Sequence, residues 1–181
     1  ISSWEEAFTA GTRVGDEAAA VTIVVLSDLE CPACRAFEST LHEVLGDHDA
    51  DVSTVYVPFP LPMHRFALGA ARGAECANAV GKFREWLSVV YQGQDSLGLK
   101  SWGAYAASAG IADTAAISRC AADPAPVPRI EAGREFAQRI GATGTPTILV
   151  NGWRLPAPPT AGELHRVVDA FKRGKVPFVA D

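Results

Sequence analysis

Val21-Thr-Ile-Val-Val-Leu26 runs directly into Ser27-Asp-Leu-Glu-Cys31-Pro-Ala-Cys34, and at Cys31 the apolar spacing changes. The β-branched run over 21–27 reads as a buried strand. Beyond it Ala33, Phe37, Leu41 and Val44 recur every three or four residues, so they draw one helical stripe, and Gly46-Asp47 closes it. Cys31 therefore falls at a helix start, where unpaired N–H groups and the positive end of the dipole favour a thiolate. The thiolate is the form of cysteine that attacks disulfides. Two cysteines two residues apart can also close a disulfide across one helical turn. Strand, turn, Cys-x-x-Cys, helix is the outline of a dithiol redox site.

Two other readings compete. A Cys-x-x-Cys pair is half of a zinc site, which needs a second pair of ligands. Cys76 and Cys120 stand alone, and His42, His48, His64 and His165 are scattered. The pair could also be chemically inert. The strand-turn-helix context favours redox chemistry over both, and neither metal nor cofactor is expected.

Val52, Val55 and Val57, with Tyr56 among them, read as a second strand that Pro58-Phe-Pro-Leu-Pro62 breaks. Residues 63–122 carry no strand signal. Ala67 to Ala79 fits a helix of small residues, Phe83 to Tyr91 a second, and Trp102 to Ala109 a third stopped by Gly110. A fourth starts behind Asp113, a suitable N-cap, and runs to about Cys120. A proline-rich loop precedes a further helix from about Arg129 to Ile140, closed by Gly141. Thr147-Ile-Leu-Val150 is a short strand, Asn151-Gly152 a hairpin turn and Trp153-Arg-Leu155 its return. Leu164, Val167, Val168 and Phe171 mark a final amphipathic helix. Ahead of all this, residues 1–16 read as a short helix around Trp4-Glu-Glu-Ala-Phe8 and then a Gly-containing turn. The order describes a small mixed α/β sheet with helices, interrupted by a helical block.

Composition limits the function classes. The chain has 181 residues, 48% of them hydrophobic and 20% charged, enough for a substantial core. Net charge is −5 and no Lys/Arg stripe forms, which argues against nucleic acid as a partner. The apolar runs are too short to span a bilayer. The chain starts at Ile1 without a Met or a leader-like segment, the form expected of a mature or trimmed chain. Four cysteines lean towards an oxidising compartment if Cys76 and Cys120 are paired.

Thr143-Gly-Thr-Pro-Thr147 precedes the third strand. Alone it is an ordinary Gly/Pro loop. Together with the upstream motif, the stretches Ser27-Asp-Leu-Glu-Cys-Pro-Ala-Cys34 and Gly144-Thr-Pro-Thr-Ile-Leu-Val-Asn-Gly152 resemble the thioredoxin superfamily. The helical block, entered through Phe59-Pro60-Leu61 and His64, resembles its DsbA-like branch, in which an all-helical domain interrupts the thioredoxin fold. The resemblance runs from about Ala19 to Phe171.

That resemblance implies a discontinuous thioredoxin-like domain over 1–60 and 139–181, with a helical insertion over 61–138. It implies an exposed, exchanging Cys31 and a more buried, resolving Cys34, separated by the dipeptide Pro32-Ala33. Pro146 would be cis against this pair, and Thr145 would offer backbone to an extended substrate. The implied activity is a thiol:disulfide oxidoreductase, an oxidase before an isomerase or reductase. It would act on cysteines of protein substrates outside the cytoplasm, as a monomer regenerated by a membrane redox partner. The alternative is a thioredoxin-fold metal-binding or chaperone module that uses the same cysteines; a glutathione-dependent enzyme of the kappa-transferase branch would usually keep one serine or cysteine here. Thioredoxins typically carry a buried carboxylate six residues before the first cysteine. Val25 stands at that place, so no proton relay of that kind is expected.

Asp28 and Glu30 read as solvated loop charges, and His64 as a satisfied structural histidine with no carboxylate near it in sequence. His42, His48 and His165 read as solvated, and the four tryptophans as core or insertion packing. Cys76 and Cys120 are open to two readings, buried free thiols or a disulfide. The even count favours the disulfide, which would close a loop of about 45 residues and stabilise by roughly 2–4 kcal/mol.

Overall fold

The computed structural model describes residues 1–48 and 50–178. Among them are five strands: β1 (Thr12–Val14), β2 (Val21–Ser27), β3 (Val52–Pro58), β4 (Thr147–Val150) and β5 (Trp153–Arg154). The eight α-helices are α1 (Ala7–Ala10), α2 (Pro32–His48), α3 (Ala67–Ala79), α4 (Phe83–Gln92), α5 (Trp102–Ser108), α6 (Thr114–Ala122), α7 (Pro128–Arg139) and α8 (Ala161–Lys172). Single 3-10 turns cover Trp4–Glu6 and Gln94–Ser96.

The sheet order is β1-β3-β2-β4-β5. β2 and β3 are parallel, and every other pairing is antiparallel. β2 is apolar at nearly every position because both of its faces are covered. Val21, Ile23 and Val25 point into one core with Phe37, Leu41 and Val44 of α2 and Leu164 and Val168 of α8. Val24 and Leu26 point into a second core with Ala7, Ala10, Phe136 and Ala137. Asn151 (φ 45°) and Gly152 (φ 83°) turn β4 into β5 with both central residues left-handed, as a two-residue hairpin loop requires.

The one strand absent from the sequence reading is β1. The turn expected there is instead three extended residues, with Thr12 opposite Tyr56 and Val14 opposite Thr54. α2 also continues through Gly46 to His48 instead of stopping at Gly46-Asp47, and the return strand β5 stops at Arg154, one residue short of Leu155.

Helices α3 to α6 pack on one another around Trp86, which is fully buried and donates from Nε1 to the Ala70 carbonyl at 3.0 Å. A disulfide between Cys76 and Cys120 ties α3 to α6. Asp113 caps α6 by accepting from the Ala116 N–H, and Thr160 and Glu163 form a reciprocal capping box on α8. α7 ends at Arg139, so nearly all of it falls in the insertion expected over 61–138, yet it packs on α1 and β3, against the sheet. Among the described residues no helix is long and apolar enough to cross a membrane.

Candidate active site

Pro32 opens α2 at its first position, where a missing N–H costs nothing. Cys31 thus sits just before the first turn: its N–H donates to the Asp28 carbonyl at 3.1 Å and its own carbonyl accepts from the Arg35 N–H. Cys34 lies one turn further on, facing the core. Both sulfurs belong to free cysteines and both residues are buried, Cys31 at 6% exposure and Cys34 at 2%. Cys31 is the more accessible of the two, but it is not the openly exposed thiol that the sequence reading describes.

The two thiols are driven apart. Cys31 is lowered from an ordinary thiol value to about 5. A hydrogen bond from Cys34 contributes most, burial opposes it, and Thr145 with the backbone N–H groups of Cys34 and Ala33 adds to the effect. The N–H groups are those that a helix start leaves without partners. Cys34 is pushed up, first because it donates that hydrogen bond to Cys31 and then by burial.

From the other end of the chain, the loop before β4 closes over the pair. The Thr145–Pro146 peptide bond is cis, and Cys31 Sγ lies 3.4 Å from the Thr145 carbonyl oxygen. Among the described residues the buried Thr145 hydroxyl has no hydrogen-bond partner. Beside it is a cleft of about 390 Å³, lined by Pro146, Thr147, Arg154, Leu155 and Pro158.

The loop charges overturn their sequence reading. Asp28 is not solvated but buried at 1% exposure. Its carboxylate accepts from the N–H groups of Glu30 and Leu61, both at 2.8 Å, and pairs with His64 Nδ1 at 2.7 Å. Glu30 accepts from the Phe66 N–H at 2.5 Å. A buried carboxylate needs such partners. His64 therefore does have a carboxylate, reached through the fold and not through local sequence. The His64 imidazole is raised, by its bond to Asp28 first and against burial, with the Asp28, Cys31 and Glu30 charges adding to the effect.

Val25 lies in the core that holds Cys34 and Phe37. A different carboxylate reaches that core: Glu38, four residues after Cys34 and so on the same helical face. Tyr56 donates its hydroxyl to Glu38, at 3.0 and 3.2 Å to the two carboxylate oxygens. Burial pushes the Glu38 carboxyl up, against the Tyr56 bond and the charges of His42 and Arg84. These groups line a groove of about 1060 Å³ between α2 and α4. The spacing from Cys34 was a readable signal that the sequence reading did not use.

The remaining histidines divide. His42 is exposed. His48 is buried at the end of α2, with Nε2 3.0 Å from Nδ1 of a partly buried His165, so neither is simply solvated. Among the described residues no group of three or more His, Cys, Asp or Glu is placed to hold a metal ion.

The family model described as Thioredoxin (Thioredoxin_4) matches residues 9–170. The chain belongs to this thioredoxin family. Within it, the fold is that of the DsbA-like oxidoreductases. BdbD from Bacillus subtilis is 20% identical with a TM-score of 0.81, over 92% of this chain and 95% of that one. The alpha-DsbA1 of Wolbachia pipientis is 18% identical with a TM-score of 0.77, over 90% and 92%. A curated relative, the Na(+)/H(+) antiporter NhaA of Herminiimonas arsenicoxydans, is 32% identical over 163 residues, which is 88% of this chain. This thioredoxin-family chain spans 25% of that relative's length.

Proposed function

We propose that the chain is a thiol:disulfide oxidoreductase of protein substrates outside the cytoplasm, acting first as an oxidase. The observation that carries the reading is the placement of two free cysteines one turn apart at the start of α2, with Cys31 Sγ 3.4 Å from the Thr145 carbonyl oxygen, an arrangement that holds Cys31 near 5 and pushes Cys34 up behind it. A low thiol value makes Cys31 the good leaving group of its mixed disulfide with substrate. Cys31 and Cys34 are the catalytic pair, Pro32 and Ala33 the dipeptide that spaces them, and Thr145 and Pro146 the backbone and ring that receive substrate.

A substrate thiolate attacks Cys31 Sγ, a mixed disulfide forms, and Cys34 leaves as the thiolate and takes up a proton to become the thiol. A second substrate thiolate then attacks the substrate sulfur of that mixed disulfide. Cys31 departs as the thiolate and the substrate keeps the new disulfide. Two electrons have passed to the protein, and a membrane redox partner returns it to the disulfide. The relatives named as Na(+)/H(+) antiporters support a place at a membrane for this unit. The discontinuous sheet domain (1–60 and 139–181) receives the substrate, and the insertion (61–138), stapled by Cys76 and Cys120, covers its flank.

Equilibration of the purified protein with reduced and oxidised glutathione tests this, followed by transfer to a reduced cysteine-containing peptide. The expected result is a Cys31–Cys34 disulfide that oxidises the peptide and is lost in Cys31→Ser. Stoichiometric zinc bound by freshly reduced protein, with no transfer to peptide, would overturn it in favour of a metal-binding module.

A further inference from the structure

The short strand β5 sends its two side chains to opposite faces of the sheet. Trp153 stands opposite Val150 and Arg154 opposite Leu149. Leu149 belongs to the core that holds Phe136 and Ile140, so Arg154 lies on the α7 side. There its Nη1 donates to the carbonyls of Ile140 and Gly141, just past the end of α7, both at 3.3 Å. A helix C-terminus attracts a cation, which accounts for that one nitrogen. A guanidinium carries five N–H donors in a planar fork. Among the described residues Nε and Nη2 make no hydrogen bond, and no carboxylate pairs with Arg154.

This half-used cation stands at the reactive pair's own loop. The chain that leaves Gly141 reaches Thr145 four residues later, and the Thr145 carbonyl oxygen lies 3.4 Å from Cys31 Sγ. The cleft of about 390 Å³ begins at Pro146, and among its described lining residues Arg154 is the only charged one. Pro146, Pro156 and Pro158 line it without an N–H to offer, and Ile148 and Leu155 are apolar. An anion entering the cleft therefore meets one strong donor.

We propose that Arg154 is a specificity-determining residue: it receives a side-chain carboxylate that the substrate polypeptide carries near its reacting cysteine.

The inference rests on the oxidoreductase reading, with substrate laid in extended form over Thr145 and Pro146. Each residue of an extended segment advances about 3.3 Å, so an acidic residue about two or three positions from the cysteine is carried along the loop into the cleft. Planar, bidentate pairing suits a guanidinium with free donors to a carboxylate.

The test uses short peptides with two cysteines and Asp, Asn or Lys about two or three positions from the first. Their ends are acetylated and amidated, so a chain terminus cannot supply the carboxylate. The readout is the rate constant for oxidation of each peptide by the Cys31–Cys34 disulfide, expressed as the ratio of the aspartate to the lysine peptide. A change in folding or in the α7 cap acts on all peptides alike and cancels in that ratio. Urea unfolding checks that each variant is folded.

The parent should favour the aspartate peptide by about twofold to fivefold at low salt. Arg154→Gln should bring the ratio to about one, Arg154→Glu should invert it, and Arg154→Lys should keep its direction. At about 1 M salt, where the screening length is about 3 Å, the parent's preference should shrink towards one. Equal rates in the parent, a preference that survives that salt, or a parental ratio in folded Arg154→Glu would overturn the proposal. If Arg154→Glu does not fold, Arg154→Gln decides: a ratio near one supports the proposal and a parental ratio refutes it. A protein that oxidises none of the peptides would instead refute the oxidoreductase reading, while binding of the same peptides with serine in place of cysteine would still report on Arg154.

Discussion

The buried side-chain amide of Gln94 donates to the Cys31 carbonyl at 3.0 Å, and at 2.9 Å to that of Leu29. One residue of the insertion thus fixes the backbone on both sides of Glu30. Gln94→Leu leaves two carbonyls without this donor inside the protein. It should cost about 1–3 kcal/mol in urea unfolding, and should also change the Cys31 alkylation rate. An alkylation profile identical to the parent would show that Gln94 holds the fold and not the thiol.

Cys31 should react with iodoacetamide in reduced protein with a midpoint near pH 5. The same lowering links reduction to stability. A thiol whose folded value lies below its unfolded one stabilises the fold fully above the unfolded value, and the contribution is lost as pH falls through the folded one. The reduced protein should therefore lose stability between about pH 9 and pH 5 relative to the oxidised protein, which has no such thiolate. Parallel melting curves of the two forms across that range would check the sign.

Glu38 behaves in the opposite sense. Its folded value is raised by burial. Its protonated form suits the fold below the ordinary carboxyl value, and stability is lost as pH rises through the raised one. Glu38→Gln removes that loss and still offers Tyr56 an oxygen. It should stabilise the protein more at pH 7 than at pH 4, as read from urea midpoints.

Two glycines in helices should respond in opposite directions. A Cβ at Gly73 of α3 would meet the ring of Trp86, which is fully enclosed and held by its bond to Ala70. Gly73→Ala should destabilise by about 1–3 kcal/mol. At Gly46 of α2 nothing stands within reach of an added Cβ. Gly46→Ala should stabilise by about 0.5–1 kcal/mol.

The Cys76–Cys120 bond joins Cα atoms 6.2 Å apart across a separation of 44 residues. Changing both to alanine should cost about 2–4 kcal/mol of unfolding free energy, and should leave the glutathione equilibrium of Cys31 and Cys34 where it was. A matched fall in both would mean that the staple shapes the redox site as well as the insertion.

The elements that sequence reading located share one property: their pattern is local. The run 21–27 is apolar on both faces, α2 repeats every three to four residues, and α6 carries its cap at Asp113. Thr12-Arg-Val14 has no such pattern, because three residues with a charge in the middle become a strand only by pairing with β3. The acid–base partners were hidden for a related reason. Nothing near Asp28 in the chain predicts His64, and nothing near His48 predicts His165; the first pair joins two loops and the second joins two helices, α2 and α8, that pack together. A charged residue in a loop reads as solvated until its tertiary neighbours are known. Glu38 differs, since its place one turn after Cys34 was visible and only its burial was not.

The strand order also dictates when the reactive pair is completed. β1, β3 and β2 all lie within the first 58 residues and can assemble early, but β2 receives its second neighbour only when β4, starting at residue 147, arrives. Closing a longer intervening loop adds little, about 0.6 kcal/mol for each doubling of its length. The delay is set by synthesis and diffusion. A chain emerging from the ribosome therefore carries Cys31 and Cys34 without Thr145 above them until residue 145 has been made. Its own thiols are exposed to cross-reaction with Cys76 and Cys120 before the fold can separate the two pairs.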